Sequence, residues 1–532
     1  MSFSRIYSAQ THLLKGKIVT VEVDITKKTL HSFTLVGLPD KAVDESKDRM
    51  SSALKNSGYN SPKNQNQKIV ISLSPADIKK EGPYFDLAIA LAYLLSAEEI
   101  NFDGEGRIFL GELSLNGELR PIKGALPLTE VAKKLGYKEI FLPIDNAKEA
   151  ALVDGITIYG AKNLTEVIDH IYITKKPARL NHSGGDKDGN LLEKERPKIS
   201  PFPKTEITHN EKINNIDFSD IKGQEGAKRG LEIAASGGHN IAMSGPPGTG
   251  KTMLARVFSN ILPDLEKEEC LEITGIHSVV GLLEDTIITD PPFRAPHHTA
   301  SYVSMIGGGA NPKPGEVTLA HRGVLFLDEF PEFEKRVLES LRQPLEDNIV
   351  SISRARGSAI FPSNFILVAA MNPCPCGNKG NKQKECICKQ MDLDRYKRKL
   401  SGPIMDRIDI WVNVQNVDYD KLSSNIQEGE KTATIKERVK NAREAQIKRF
   451  KNSPRKINTN SEMNVKELNI YAPLDEETKK ILNQSAERLQ LSARAYHRTI
   501  KLARTIADLE GTENIKTSHI LEALQYRPRE NL

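Results

Sequence analysis

The segment Asn240–Thr252, NIAMSGPPGTGKT, constrains this chain more than any other. A short apolar run ends in G-x-x-x-x-G-K-T from Gly245 to Thr252, and the helix-forming MLARVF follows directly. A strand that turns into a helix through glycines aims backbone N–H groups into the turn, where the helix dipole adds positive potential. Such a turn cradles phosphates. Gly245, Pro246, Pro247, Gly248, Thr249 and Gly250 form the cradle, Lys251 reaches the outer phosphates, and the Thr252 hydroxyl is placed to bind Mg²⁺.

A second apolar run, Val324–Leu327, ends in the adjacent carboxylates Asp328 and Glu329. A hydrolytic site needs both beside the phosphate loop: Asp328 to hold Mg²⁺ through water, Glu329 to polarise the attacking water. Alone the pattern is weak; about 75 residues beyond a phosphate loop it is strong. A third run, Phe365–Met371, ends in Asn372, whose amide could orient the same water; the competing reading is a turn-forming Asn before Pro373.

At 532 residues the chain has room for two to four domains. Residues 1–172 alternate strand and helix patterns, with apolar runs at Ile18–Val23, Phe33–Gly37, Lys68–Leu73 and Glu139–Leu142, as in one α+β domain. Residues 173–215 are polar and rich in Gly, Pro and charge, the composition of a linker. Residues 216–414 carry the α/β core. Residues 415–532 read as a helical lid, with Ile435, Val439, Ala442 and Phe450 along one face. No apolar run approaches the ~20 residues of a membrane helix and the start lacks a secretion signal, so a cytoplasmic protein without a membrane partner is expected. A net charge of +5 is too mild to announce a nucleic-acid binder.

Four of the five cysteines form C-x-C pairs, Cys374 with Cys376 and Cys386 with Cys388. Four thiolates can close a structural Zn²⁺ site with no position left open for water; the bland alternative is reduced thiols in a loop.

Taken in order, the three nucleotide motifs resemble an AAA+ ATPase, which implies ATP and Mg²⁺. Arg407, in SGPIMDRIDI, matches the arginine finger that such proteins insert into a neighbouring subunit's site, and Arg494, in LSARAYHR, matches the sensor-2 arginine. Ordinary salt-bridge arginines are the alternative for both. A finger acting in trans implies a ring, by analogy a homo-hexamer. DPPFRAPHHTASYVSMIGGGANPKPGEVTLAHRGVLFLDE is similar to the magnesium-chelatase-like ATPases. With QPLEDNIVSISRARGSAIFPSNFILVAAMNPCPCG, it resembles the ComM group, also called YifB.

That resemblance implies a motor on single-stranded or branched DNA, driving branch migration or helicase action while imported DNA is integrated in natural transformation and recombination, alongside recombination proteins. It also implies an insert near Phe293–Gly315 and a hairpin near Ile349–Phe361. Arg294, His297 and His298 on the first and Arg354 and Arg356 on the second are the expected DNA contacts, against the alternative of solvated charged turns. A magnesium-chelatase-type ATPase remodelling a partner protein or metal-insertion complex is the competing function.

Residues 69–142 resemble the catalytic domain of Lon proteases. Tyr84 stands where Lon's nucleophilic serine would be, and Leu126 falls near its lysine. A phenol without a base cannot replace that dyad, so an inactive, scaffolding domain is expected.

Overall fold

The computed structural model describes residues 3–172, 197–208, 216–309, 312–354, 357–380, 384–400, 402–417 and 429–528. The chain divides into two compact units: residues 1–208 with Cys270–Ile288, and residues 209–269 with 289–532.

The first unit is built on a seven-stranded mixed sheet. Its order is Ser32–Val36, Gln67–Ser74, Lys15–Lys27, Phe3–His12, Arg107–Phe109, Glu139–Pro143 and Thr157–Ala161. Strands Phe3–His12 and Lys15–Lys27 pair antiparallel, whereas the last three run parallel, so the sheet changes character at its centre. Helix Asp86–Ser96 covers it with a nearly all-apolar surface, buried at every position but Leu95. Tyr84 donates or accepts a 3.3 Å hydrogen bond with Thr11 Oγ1, and Leu126 is fully buried.

Two segments lie where the composition did not place them. Within the expected linker, residues 197–208 dock on the first unit. The Phe202 amide donates to Ile158 O at 2.8 Å, the Thr205 amide to Ala151 O at 3.1 Å, and the Phe202 ring joins a buried cluster. Cys270–Ile288, expected in the α/β core, belongs to the first unit too: the Gly124 amide donates to Ser278 Oγ at 2.9 Å, and Leu271 and Ile287 pack near Leu126 and Leu152.

The second unit holds a five-stranded parallel sheet in the order Phe293–Arg294, Val324–Leu327, Ile366–Met371, Ile241–Ser244 and Ile410–Asn413. The three central strands are buried throughout, which is why each reads as an unbroken apolar run. Register pairs Ser244 with Met371 and Leu327 with Ala369, so the three strands end at one edge of the sheet. Of these five strands Ile241–Ser244 comes first in the chain yet lies inside the sheet, and the reversal of strand order beside it makes its carboxyl edge the place for a binding crevice.

Among the described residues five α-helices follow, Thr432–Phe450, Val465–Tyr471, Glu476–Arg488, Ala493–Leu509 and Thr517–Gln525. Ile435, Val439 and Phe450 are buried in one core shared with the sheet, and Ala442 on the same helix is buried as well. The basic residues of helix Thr432–Phe450 are largely engaged within the fold: Arg438 with Glu232 and Glu430, Arg443 with the Ala235 carbonyl, Arg449 with Asp508. Among the described residues, no helix is long and apolar enough to cross a membrane.

Candidate nucleotide and metal site

The phosphate loop leaves strand Ile241–Ser244 and enters helix Lys251–Asn260 through Gly250, whose φ of +88° favours glycine. A Cβ at Gly245 would collide with the Val414 carbonyl, so the loop's first position is closed to larger residues. Lys251 Nζ donates to the carbonyls of Gly245 at 2.7 Å and Pro246 at 2.8 Å, and lies 3.3 Å from Asn372 Oδ1. Burial pushes its ammonium below the ordinary lysine value, while Asp328 opposes the shift. Asn372 thereby joins the phosphate lysine from the adjacent strand.

Across the same edge, the Thr252 hydroxyl donates to Asp328 Oδ2 at 2.9 Å. The two groups expected to serve Mg²⁺ are therefore already together, and a hydroxyl beside a carboxylate is the all-oxygen chemistry that this ion takes. Glu329 follows with a φ of +51°, a strained value for a side-chain-bearing residue, and its amide donates to Asp328 Oδ1 at 2.9 Å. Its Oε2 lies 2.9 Å from His298 Nδ1.

The other expected site residues are placed as follows. Arg407 is largely buried, donating to Pro403 O at 2.6 Å and pairing with Glu346; Arg494 donates to the other oxygen of Glu346 at 3.0 Å. One carboxylate thus holds both arginines. Arg294 sits on the edge strand, its guanidinium forked onto Glu316 at 2.7 and 2.9 Å. His297 Nδ1 lies 2.9 Å from Thr299 Oγ1. Strands Ile349–Arg354 and Gly357–Pro362 pair antiparallel as a hairpin, while Arg356 and the Arg354 side chain lie outside the described residues.

All four sulfurs of Cys374, Cys376, Cys386 and Cys388 lie within 4.8 Å of one another, with separations of 3.4, 3.6 and 3.7 Å among the first three. The Zn–S bond of ~2.3 Å sets tetrahedral edges of about 3.8 Å, so the cluster is the right size for zinc. The amide of Asn378 holds the Cys376 thiol down at about 6, whereas burial pushes Cys374 up. The loop also touches the nucleotide cradle. Gly377 has a φ of +78°, and a Cβ there would lie 2.6 Å from Pro247 Cδ.

Two contributors escaped sequence reasoning. Nothing marks Glu346, in QPLED, as the partner of two arginines. Asp409 is two residues past Arg407, buried against Arg498 and His239. A carboxylate inside an otherwise apolar strand start was the available signal.

The fold and site define a phosphate-loop α/β protein whose C-terminal part is helical. Family models agree with that class: "Magnesium chelatase, subunit ChlI" matches residues 217–422, "Subunit ChlI of Mg-chelatase" residues 21–146, and "Magnesium chelatase, subunit ChlI C-terminal" residues 429–527. The chain is 40% identical to the uncharacterised protein YifB of Escherichia coli over 534 residues, covering 100% of this chain and 98% of that one. It is 39% identical to competence protein ComM of Haemophilus influenzae over 529 residues, covering 99% and 98%. Lon protease 2 of Bacillus subtilis is 26% identical over 254 residues, 42% of this chain and 45% of that protein. The chain belongs to the ComM/YifB family of magnesium-chelatase-like proteins.

Proposed function

We propose that this chain is an ATP-hydrolysing AAA+ motor that works as a homo-hexameric ring on single-stranded or branched DNA, moving branches while imported DNA is integrated. The observation that carries the ATPase part is the assembly of Lys251, Thr252, Asp328 and Asn372 at one sheet edge, with Thr252 and Asp328 2.9 Å apart. The DNA part draws support from the relative named for competence.

In the proposed reaction a water oxygen bonds to the γ-phosphorus and the bond to the bridging oxygen breaks. The water's proton passes to the Glu329 carboxylate, leaving ADP and phosphate. Lys251 neutralises the outer phosphates and Asn372 orients the water. Thr252 and Asp328 would hold Mg²⁺, which supplies charge neutralisation to the phosphates. Arg407 would reach the neighbouring subunit's nucleotide after exchanging Glu346 for phosphate, and Arg494 would close the lid on its own. The cysteine cluster would hold a structural Zn²⁺ that props the cradle through Gly377 and Pro247, since four thiols this close ionise together only around a cation.

One observation favours the remodelling alternative: Arg294 and His298 are turned toward Glu316 and Glu329. Measuring ATP turnover with and without single-stranded and branched DNA separates the two. A rate that rises several-fold with DNA is expected; a rate indifferent to DNA, with no DNA bound, refutes the DNA motor.

A further inference from the structure

We propose that the cysteine knuckle and the helix after it form a nucleic-acid contact face, on which Lys384, Lys389, Arg395 and Lys397 take phosphates while Ile387 and Met391 meet unpaired bases. The proposal rests on the reading of this chain as acting on DNA.

The charge of the chain is not spread evenly. Residues 379–399 hold eight Lys and Arg against three Asp and Glu, an excess equal to the +5 of all 532 residues. The rest of the chain is therefore neutral on balance. A concentrated excess makes a local field that attracts a polyanion, which the same charge spread over the surface does not.

Cations on the edge strand and on helix Thr432–Phe450 are paired within the fold: Arg294 with Glu316, Arg438 with Glu232 and Glu430, Arg449 with Asp508. Lys384, Lys389, Arg395 and Lys397 are exposed and, among the described residues, form no ion pair. They can meet phosphates without first giving up a carboxylate.

Helix Gln390–Lys399 sets the geometry. Leu393 and Tyr396 are half-buried on one face, and Met391, Arg395 and Arg398, at i, i+4 and i+7, are exposed along the other. Just before the helix, Ile387 stands between two cysteines of the cluster, where the Cys376 amide donates to Cys388 Sγ at 3.4 Å. Ile387 is 84% exposed and Met391 73%. Apolar side chains set among cations suit a ligand that is charged along its edge and apolar on its faces. Unpaired bases fit that description; single strands and branch points present them and an intact duplex hides them.

The same helix reaches the nucleotide site. Tyr396 Oη donates to the Asn372 carbonyl at 3.0 Å, and Asn372 Oδ1 lies 3.3 Å from Lys251 Nζ. A strand on the outer face is thus joined to the phosphate lysine through two side chains.

The test is equilibrium binding of the full chain to a labelled single strand, a four-way junction and a blunt duplex over a range of salt. The variant Lys384→Gln/Lys389→Gln/Arg395→Gln/Lys397→Gln should bind the single strand on the order of 100-fold more weakly at about 0.1 M salt, with a salt slope shallower by about 3. A control of equal charge on other helices, Lys440→Gln/Lys448→Gln/Lys451→Gln/Lys466→Gln, should keep most of the affinity. Ile387→Ser should keep the slope and lose several-fold of the preference for single strand and junction over duplex. Equal weakening in the control reduces the effect to net charge and overturns the proposal. So does wild-type binding in the first variant; if its oligomeric mass falls at the same time, the face belongs to a second copy of the chain. Absence of DNA binding by the unchanged protein overturns the reading beneath it.

Discussion

The Thr252 hydroxyl donates to Asp328 Oδ2 at 2.9 Å, joining the first turn of the phosphate-loop helix to a strand two places away in the sheet. If these groups share Mg²⁺, Asp328→Asn should lower kcat on the order of 100-fold, because a metal's charge is worth several kcal/mol in the transition state. ATP affinity measured in EDTA should change little. Calorimetric titration beside turnover checks both; an Mg²⁺-dependent rate close to that of the unchanged protein contradicts the assignment.

The cysteine cluster should carry about one zinc per chain. Cys386→Ser should remove the metal and lower Tm. Gly377→Ala should leave zinc in place and raise KM for ATP several-fold, since the new methyl must displace Pro247. Elemental analysis and ATP kinetics separate these effects. Metal-free protein purified without chelator would count against the site.

Arg407 and Arg494 converge on Glu346 within one chain. If Arg407 completes a neighbour's site, Arg407→Ala and Glu329→Gln chains, each inactive alone, should regain turnover when mixed, because some interfaces then hold an intact Glu329 and an intact Arg407. Activity plotted against mixing ratio reads this out. No recovery at any ratio would assign Arg407 a role within its own chain.

Asp409 makes a claim on stability. Burial pushes its carboxyl up, but Arg498, His239 and Arg527 outweigh burial and hold it well below the ordinary value of 3.8. A depressed carboxylate stabilises the fold above its unfolded value, and that stability is lost as pH falls through the folded one. Asp409→Asn should therefore cost about 3 kcal/mol at pH 7, the scale for breaking a buried pair, and the gap from wild type should narrow below about pH 4. Urea melts across that range measure it; a gap constant with pH would contradict the assigned ionisation.

The buried strands of the nucleotide sheet were legible because burial on both faces leaves unbroken apolar runs, as in Val324–Leu327 and Ile366–Met371. The phosphate loop was legible because only glycine suits Gly250's backbone. The docking of residues 197–208 was not: one ring, Phe202, and a few backbone hydrogen bonds hold a segment whose composition is that of a linker. Nor could the sequence show which way His298 points, or that Glu346 faces arginines 61 and 148 positions away. Such contacts depend on the folded backbone, and no local pattern encodes them.

The central claim is that ATP hydrolysis here moves DNA. The most direct measurement is the ATP-dependent conversion of a labelled, partly mobile branched DNA into its migrated product by the purified full chain. The account predicts product with ATP and Mg²⁺, and none with ADP or with Glu329→Gln. Migration that proceeds equally with Glu329→Gln, or its absence while ATP is hydrolysed and DNA is bound, would contradict it.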